Sequence, residues 1–229
     1  MYGDTYCDRV AADLGNNPIT GLGSTAFLVA ATVLIWMVAG QRPPVPPSVW
    51  LLPALAGVVG ICGVAVHLFA SPVTAALDSI AIHLFVVTAV VIVLRWMWAV
   101  PWRWAWLVAP GYAVFAIGLR STAGASSGFL PALIGLVALG LALRVGGPDG
   151  AKRFGAWLLG AGGLLAISMA LHTVDGPLCR RLPIGAPFLS HCLNATVLFI
   201  VGYTVIRRWQ TIGTRPAPDR PPGGSRLVG

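Results

Sequence analysis

Seven stretches of mainly apolar residues, each near the length of a membrane-crossing helix, divide the chain at roughly 20–40, 48–69, 75–98, 101–119, 127–145, 154–173 and 185–207. A helix rising ~1.5 Å per residue needs about 20 such residues to cross a ~30 Å hydrocarbon layer. Lipid offers no hydrogen bonds to a bare backbone, so each stretch must satisfy its own N–H and C=O groups, and each is read as helix. Composition agrees: 57% of the 229 residues are hydrophobic and 10% are charged, against about 25% charged in a soluble domain. The expected fold class is an all-α membrane protein, a seven-transmembrane helix bundle.

The breaks have chemical causes. QRPPVPPS at 41–48 carries four prolines and cannot continue a helix. Ser71-Pro72 separates the second and third spans, and glycine-bearing polar turns follow Arg120 and Gly146. The third and fourth spans meet around Trp98 to Trp104, with Pro101 in the junction; that boundary is the weakest, and six spans is the rival count. Ala156, Gly160 and Gly163 are expected to let helices approach closely. Residues 1–19 are polar, without the apolar core of a cleavable signal, and read as an extracytoplasmic N-terminal segment. Residues 20–207 form the membrane domain, and 208–229, too poor in apolar residues to pack, read as a disordered basic cytoplasmic tail.

A net charge of +8 in a soluble protein would point to nucleic acid. Here the cations sit in loops and at the C-terminus, so no nucleic-acid partner is expected. With the C-terminus inside, eleven Lys and Arg side chains fall on the cytoplasmic side and four (Arg9, Arg120, Arg180, Arg181) on the other. The positive-inside rule then gives N-out/C-in. The short loops fit a bacterial inner membrane, and the expected partner is a membrane lipid, as substrate or ligand. The oligomeric state has no sequence signal.

That topology sends His67, Asp78, His172, Asp175 and His191 to the outer boundary. Titratable groups within spans are costly and usually face protein or a wet cavity, so several at one depth point to a shared site. His67, His191 and Asp78 can lock helices through hydrogen bonds, or their imidazoles can bind zinc; the residues alone favour neither. His172 and Asp175 also read as interfacial residues in water. His83, one or two turns deeper, reads as a satisfied core histidine. Cys62 and Cys192 read as small buried apolar residues, and the glycosylation-like Asn194-Ala-Thr196 lies inside a span. The inner halves of the spans are nearly all apolar, which argues against a transport pathway.

Three regions carry a family resemblance. Tyr6-Cys-Asp-Arg9, Asn17-Pro18 and Ser24-Thr-Ala-Phe27 are similar to YCER, EP and SNxAF elements at matching separation. His67 and Asp78 match a histidine and an aspartate. Cys179, Pro183-Ile-Gly185 and Phe188-Leu-Ser-His191-Cys-Leu-Asn194 match a cysteine and a GTHFLWHLLN segment. On these grounds the chain resembles the alkaline ceramidases, seven-span membrane amidases, and their bacterial relatives in the wider superfamily of membrane hydrolases and progestin/adiponectin-type receptors.

The resemblance implies a zinc-dependent hydrolase acting on linear amide C–N bonds, cleaving a ceramide-type sphingolipid in lipid metabolism. It implies His67 and His191 as zinc ligands, Asp78 as the catalytic base, and a Cys7–Cys179 disulfide. It implies a calcium-like site at Asp8 and Asn17. The sequence departs from the pattern at four positions. The first histidine of the family's HxxxH falls on Pro187, the family serine on Gly63, one calcium glutamate on Asn17, and the YCER glutamate on Asp8. Two histidines fall short of the usual three or so protein ligands, so a third is expected from His172 or Asp175; Asp78 could serve only by giving up its role as base. A noncatalytic relative that has lost metal and activity, and binds lipid or a partner, is the alternative.

Overall fold

A computed structural model describes residues 18–42, 44–123, 128–148, 150–173 and 186–213. Among them the chain forms eight α-helices: α1 (Pro18–Ala39), α2 (Pro47–Phe69), α3 (Pro72–Trp98), α4 (Trp102–Ala105), α5 (Val108–Ala123), α6 (Leu130–Gly146), α7 (Lys152–Thr173) and α8 (Ala186–Gly213). Five of these, α1, α2, α3, α7 and α8, are long and apolar enough to cross a membrane. The chain is an integral, multi-pass membrane protein. Each helix leans on its neighbours in sequence, and α8 closes the ring by packing between α7 and α1.

The fourth expected span is not one helix. The turn α4 stops at Ala105 and α5 starts at Val108. Pro110 explains the stop. It has no N–H for the Trp106 carbonyl, and its ring would strike that carbonyl in a continuous helix; Ala109 N–H bonds Trp106 O instead, at 3.0 Å. At 16 and 17 residues, α5 and α6 extend only about 24–26 Å. At the other extreme, α8 continues six residues past Arg207, to Gly213. Polar contacts hold this extension: Arg208 Nε donates to Trp96 O at 3.2 Å, and Gln210 Nε2 to Gln41 Oε1 at 2.8 Å.

Glycine sets the closest helix contacts. The α2 positions Gly57, Gly60, Gly63 and His67 meet α1 at Ala31, Leu28, Ser24 and Gly21 in turn. This antiparallel register puts the start of α1 against the end of α2. A second close contact joins α6 and α7. A Cβ on Gly155 would lie 2.6 Å from the Gly140 carbonyl oxygen and 3.0 Å from Arg144 N. The expected contact residues of α7 are displaced: Ala156, Gly160 and Gly163 are exposed, and Gly155 and Gly162 face α6. The cause is that α7 is apolar all round, so no polar stripe marks its outer face.

The turn between α2 and α3 is short and well fixed. Ala70 adopts the left-handed conformation (φ 44°) and returns its N–H to Val66 O. Ser71 then caps α3: its Oγ accepts from Thr74 N at 3.1 Å, and its N–H donates to Thr74 Oγ1 at 3.2 Å. This reciprocal box fixes where α3 begins, and so where Asp78 lies relative to the end of α2.

Gly155→Ala is expected to lower the stability of the detergent-solubilised protein by about 1–3 kcal/mol, because backbone atoms cannot yield to the added methyl. Gly163→Ala, with open space around it, should leave stability unchanged or raise it by up to about 1 kcal/mol. Thermal unfolding of the two variants side by side checks the assignment of the α6–α7 face.

Candidate functional site

The end of the bundle formed by the starts of α1, α3 and α8 and the ends of α2 and α7 gathers the polar residues. His67 lies two residues before the end of α2, and His191 lies in the second turn of α8. Their Nε2 atoms are 3.3 Å apart, and the rings meet edge to face with centroids 5.2 Å apart. The two residues are separated by 124 positions in sequence; the α1 glycines let them meet. A Cβ on Gly21 would lie 3.4 Å from His67 Cβ, and one on Gly23 only 3.2 Å from both His191 Cβ and the Phe188 backbone. Phe27 closes the same wall, its ring edge-on to His191 at 6.2 Å.

His191 has a defined orientation. Its Nδ1 lies 2.8 Å from the Pro187 carbonyl oxygen. A carbonyl can only accept, so Nδ1 carries the hydrogen and Nε2 of the neutral ring keeps its lone pair. Without a metal, His67 Nε2–H donates to that lone pair. With one, both lone pairs point at it. Pro187 thus supplies the carbonyl that orients the His191 ring. Proline is tolerated there because the first turn of a helix needs no N–H from it.

Asp78 joins the group from α3. A Cβ on Gly63 would lie 3.6 Å from Asp78 Oδ1 and 3.1 Å from Ser24 Oγ. Gly63 is four residues before His67, so the carboxylate stands beside α2 one turn deeper than the imidazoles. His172 lies in the last turn of α7, at the same end of the bundle. Ser168, one turn further into α7, is buried and donates to Ser190 O at 3.2 Å, tying α7 to α8 beside the site.

The structure therefore brings His67 and His191 into contact and places Asp78 one turn deeper at the same end of the bundle, where α7 also ends at His172. Among the described residues, no three His, Cys, Asp or Glu side chains converge closely enough to hold a metal ion. Asp175, Asp8, Asn17, Cys7 and Cys179 lie outside the described residues. His83 stands apart: its Nδ1 donates to Ser79 O at 2.7 Å, and its ring meets Tyr112 edge-on at 6.0 Å. Cys62 and Cys192 are half-buried free thiols, and Asn194 is buried within α8. Sequence reasoning missed Ser24 as a site residue. It read that serine only as part of a motif, and nothing in the α1 sequence tells which side of the helix faces α2.

No family model, curated protein or solved structure matches the chain.

Two facing imidazoles should be energetically coupled. In the presence of a chelator, the destabilisations caused by His67→Ala and His191→Ala are expected to fall short of additivity by at least about 0.5 kcal/mol, as for residues in direct contact. A double-mutant cycle of unfolding free energies measures this, and additive losses would show that the rings do not interact.

Proposed function

We propose that the chain is a ceramidase-like membrane hydrolase that cleaves the amide bond of a ceramide-type lipid, with zinc held by His67 and His191. One observation carries the reading. The two Nε2 atoms stand 3.3 Å apart, and two nitrogen ligands about 2.0–2.1 Å from a tetrahedral zinc ion would stand about 3.3–3.4 Å apart. The bond from His191 Nδ1 to Pro187 O adds to it, because a ligating histidine almost always commits its other ring nitrogen to a carbonyl or carboxylate. The donor set is incomplete: it supplies two of the usual three protein ligands, His172 does not converge on the pair, and Asp175, which lies outside the described residues, is the proposed third. When bound, zinc polarises the substrate carbonyl and makes its water acidic enough to lose a proton near neutral pH. Asp78 would be the residue that holds a proton and hands it to the leaving amine nitrogen. The three side chains are half-buried among apolar helices, which leaves them reachable from one end of the bundle.

The same proposal includes seven spans, counting α4 with α5 as the fourth and α6 as the fifth, in an N-out/C-in orientation in a bacterial inner membrane. Its support is the distribution of charge. Arg95, Arg103, Arg144, Lys152, Arg153, Arg207 and Arg208 all lie at the end of the bundle opposite His67 and His191. The site would then open on the non-cytoplasmic side, where a Cys7–Cys179 disulfide is chemically permitted. Calcium has no role in the proposal.

Pro187 and the incomplete ligand set favour a second reading, a noncatalytic relative that binds lipid through the same polar group. Metal analysis and turnover separate the two. The hydrolase is expected to purify with near-stoichiometric zinc that His67→Ala removes, and to release fatty acid from a fluorescent ceramide in a reaction that Asp78→Ala reduces at least about a hundredfold. Metal-free, inactive protein would leave only the lipid-binding reading. For orientation, a single cysteine placed in the C-terminal tail of a Cys-free variant should react with a membrane-impermeant maleimide only after the membrane is permeabilised.

A further inference from the structure

The end of the bundle opposite the imidazoles is rich in cations, with little to balance them. Among the described residues Asp78 is the only Asp or Glu, and it stands about 25 Å from Arg95 along α3. Asp149 and Asp219 lie outside those residues. Two arginines at this end are nonetheless drawn into the protein. Arg208 is only 8% exposed, and its Nε donates to Trp96 O at 3.2 Å, which ties α8 to the last turn of α3. Arg95 is half-buried, and its guanidinium lies against two rings, Trp96 at 5.7 Å and Trp102 at 5.8 Å. A turn through left-handed Ala99 (φ 57°) and Pro101 brings Trp102 to that position. Arg95 Nε and Trp96 Nε1 are buried N–H groups with no acceptor among the described residues. This corner, where α3, α4 and α8 meet, has a surplus of donors and of positive charge.

We propose that Arg95, Arg208 and the α4 turn form a binding site for the phosphate of an anionic phospholipid in the leaflet that covers this end. The Arg95 guanidinium is the contact group, and Arg208 adds to the field behind it. A phosphate presents several acceptor oxygens, which a guanidinium fork grips two at a time, and it carries the charge that the corner lacks. Stacking on two rings holds the fork in place before the lipid arrives. The approach is lateral and needs no channel. Trp102, Trp104 and Trp106 are 37%, 56% and 45% exposed, as suits rings at the membrane–water boundary, where headgroups lie. The same surface selects a lipid as the source of the phosphate. Leu107, next along the chain, is 58% exposed and gives an acyl chain an apolar contact that a soluble anion cannot use. Basic pockets between membrane helices are suited to such headgroups. The site is independent of zinc and of hydrolysis at the other end.

The test uses the full-length protein in a non-ionic detergent, titrated with palmitoyl-oleoyl phosphatidylglycerol or with the phosphatidylcholine of the same chains. Native mass spectrometry counts the bound lipid. Wild-type protein should bind one phosphatidylglycerol about tenfold more tightly than phosphatidylcholine. Arg95→Gln should weaken phosphatidylglycerol binding about tenfold, the usual scale for one hydrogen bond to a charged group. Arg95→Lys should restore only part of it, because an ammonium keeps the charge without the fork or the stacking. Trp102→Ala, on the exposed turn, removes a ring and no charge, and should weaken binding about threefold. Arg207→Gln deletes the same charge at an exposed position and should change binding less than about twofold. Added phosphatidylglycerol should raise the unfolding temperature of the wild type and leave that of Arg95→Gln where it was. Equal affinity for the two lipids, or equal losses from Arg95→Gln and Arg207→Gln, would reduce the effect to surface charge and overturn the site. Displacement of the lipid by equimolar inorganic phosphate would make the ligand a soluble anion and overturn the lipid assignment. Tighter phosphatidylglycerol binding by Asp149→Asn or Asp219→Asn would show that the chain supplies its own counter-charge, and overturns the proposal too.

Discussion

The close approach of α1 to α2 governs most of what this bundle can do. Between helices in lipid there is no hydrophobic gain from leaving the solvent, since the tails are as apolar as the side chains. Association then depends on how near two backbones can come. The glycines at 57, 60 and 63 remove the side chains that would hold α1 away, and Leu28 settles against Gly60. That fit fixes the register, and the register fixes the site. It sets Gly21 against His67 and Ser24 against Gly63, while Gly23 packs on His191. The contact that holds the helices also forms one wall of the polar group.

Pro187 changes meaning in this setting. Its side chain has no polar atom, but its backbone has a carbonyl. Its carbonyl receives Nδ1–H of His191 and so aims the other ring nitrogen at His67. Gly63 is similar. Its missing side chain is required for the close packing of α1, because a Cβ there would lie 3.1 Å from Ser24 Oγ and 3.2 Å from Ser24 Cβ. Both residues act through a neighbouring group, Pro187 through its carbonyl on His191 and Gly63 through the space it gives Ser24.

The opposite end is built on different physics. All nine tryptophans lie in the helix halves or links nearest that end, along with most of the basic residues. The guanidinium of Arg95 lies 5.7 Å from the Trp96 ring and 5.8 Å from the Trp102 ring, and that of Arg207 lies 5.8 Å from Tyr203. Such rings suit the membrane–water boundary, where an apolar face and a polar edge are both satisfied. One end of the bundle is thus an anchored, cationic boundary, and the other holds the imidazoles and the carboxylate.

The sequence by itself determined that the chain is helical and lives in lipid, where most helices begin and end, and that His67, Asp78 and His191 share one end. Those conclusions need only segment length, backbone hydrogen bonding and the alternation of direction from span to span. It did not determine which side of each helix faces inward, because a helix that is apolar all round carries no periodic signal. For that reason the contact face of α7 was misplaced from Ala156, Gly160 and Gly163, and Ser24 was read only as part of a motif. The break at Pro110 was legible in principle, since a missing N–H is a local fact. Only tertiary structure decided that the two imidazoles meet nitrogen to nitrogen, and that Ser24 packs on Gly63, because distances between residues far apart in sequence depend on how closely the helices pack.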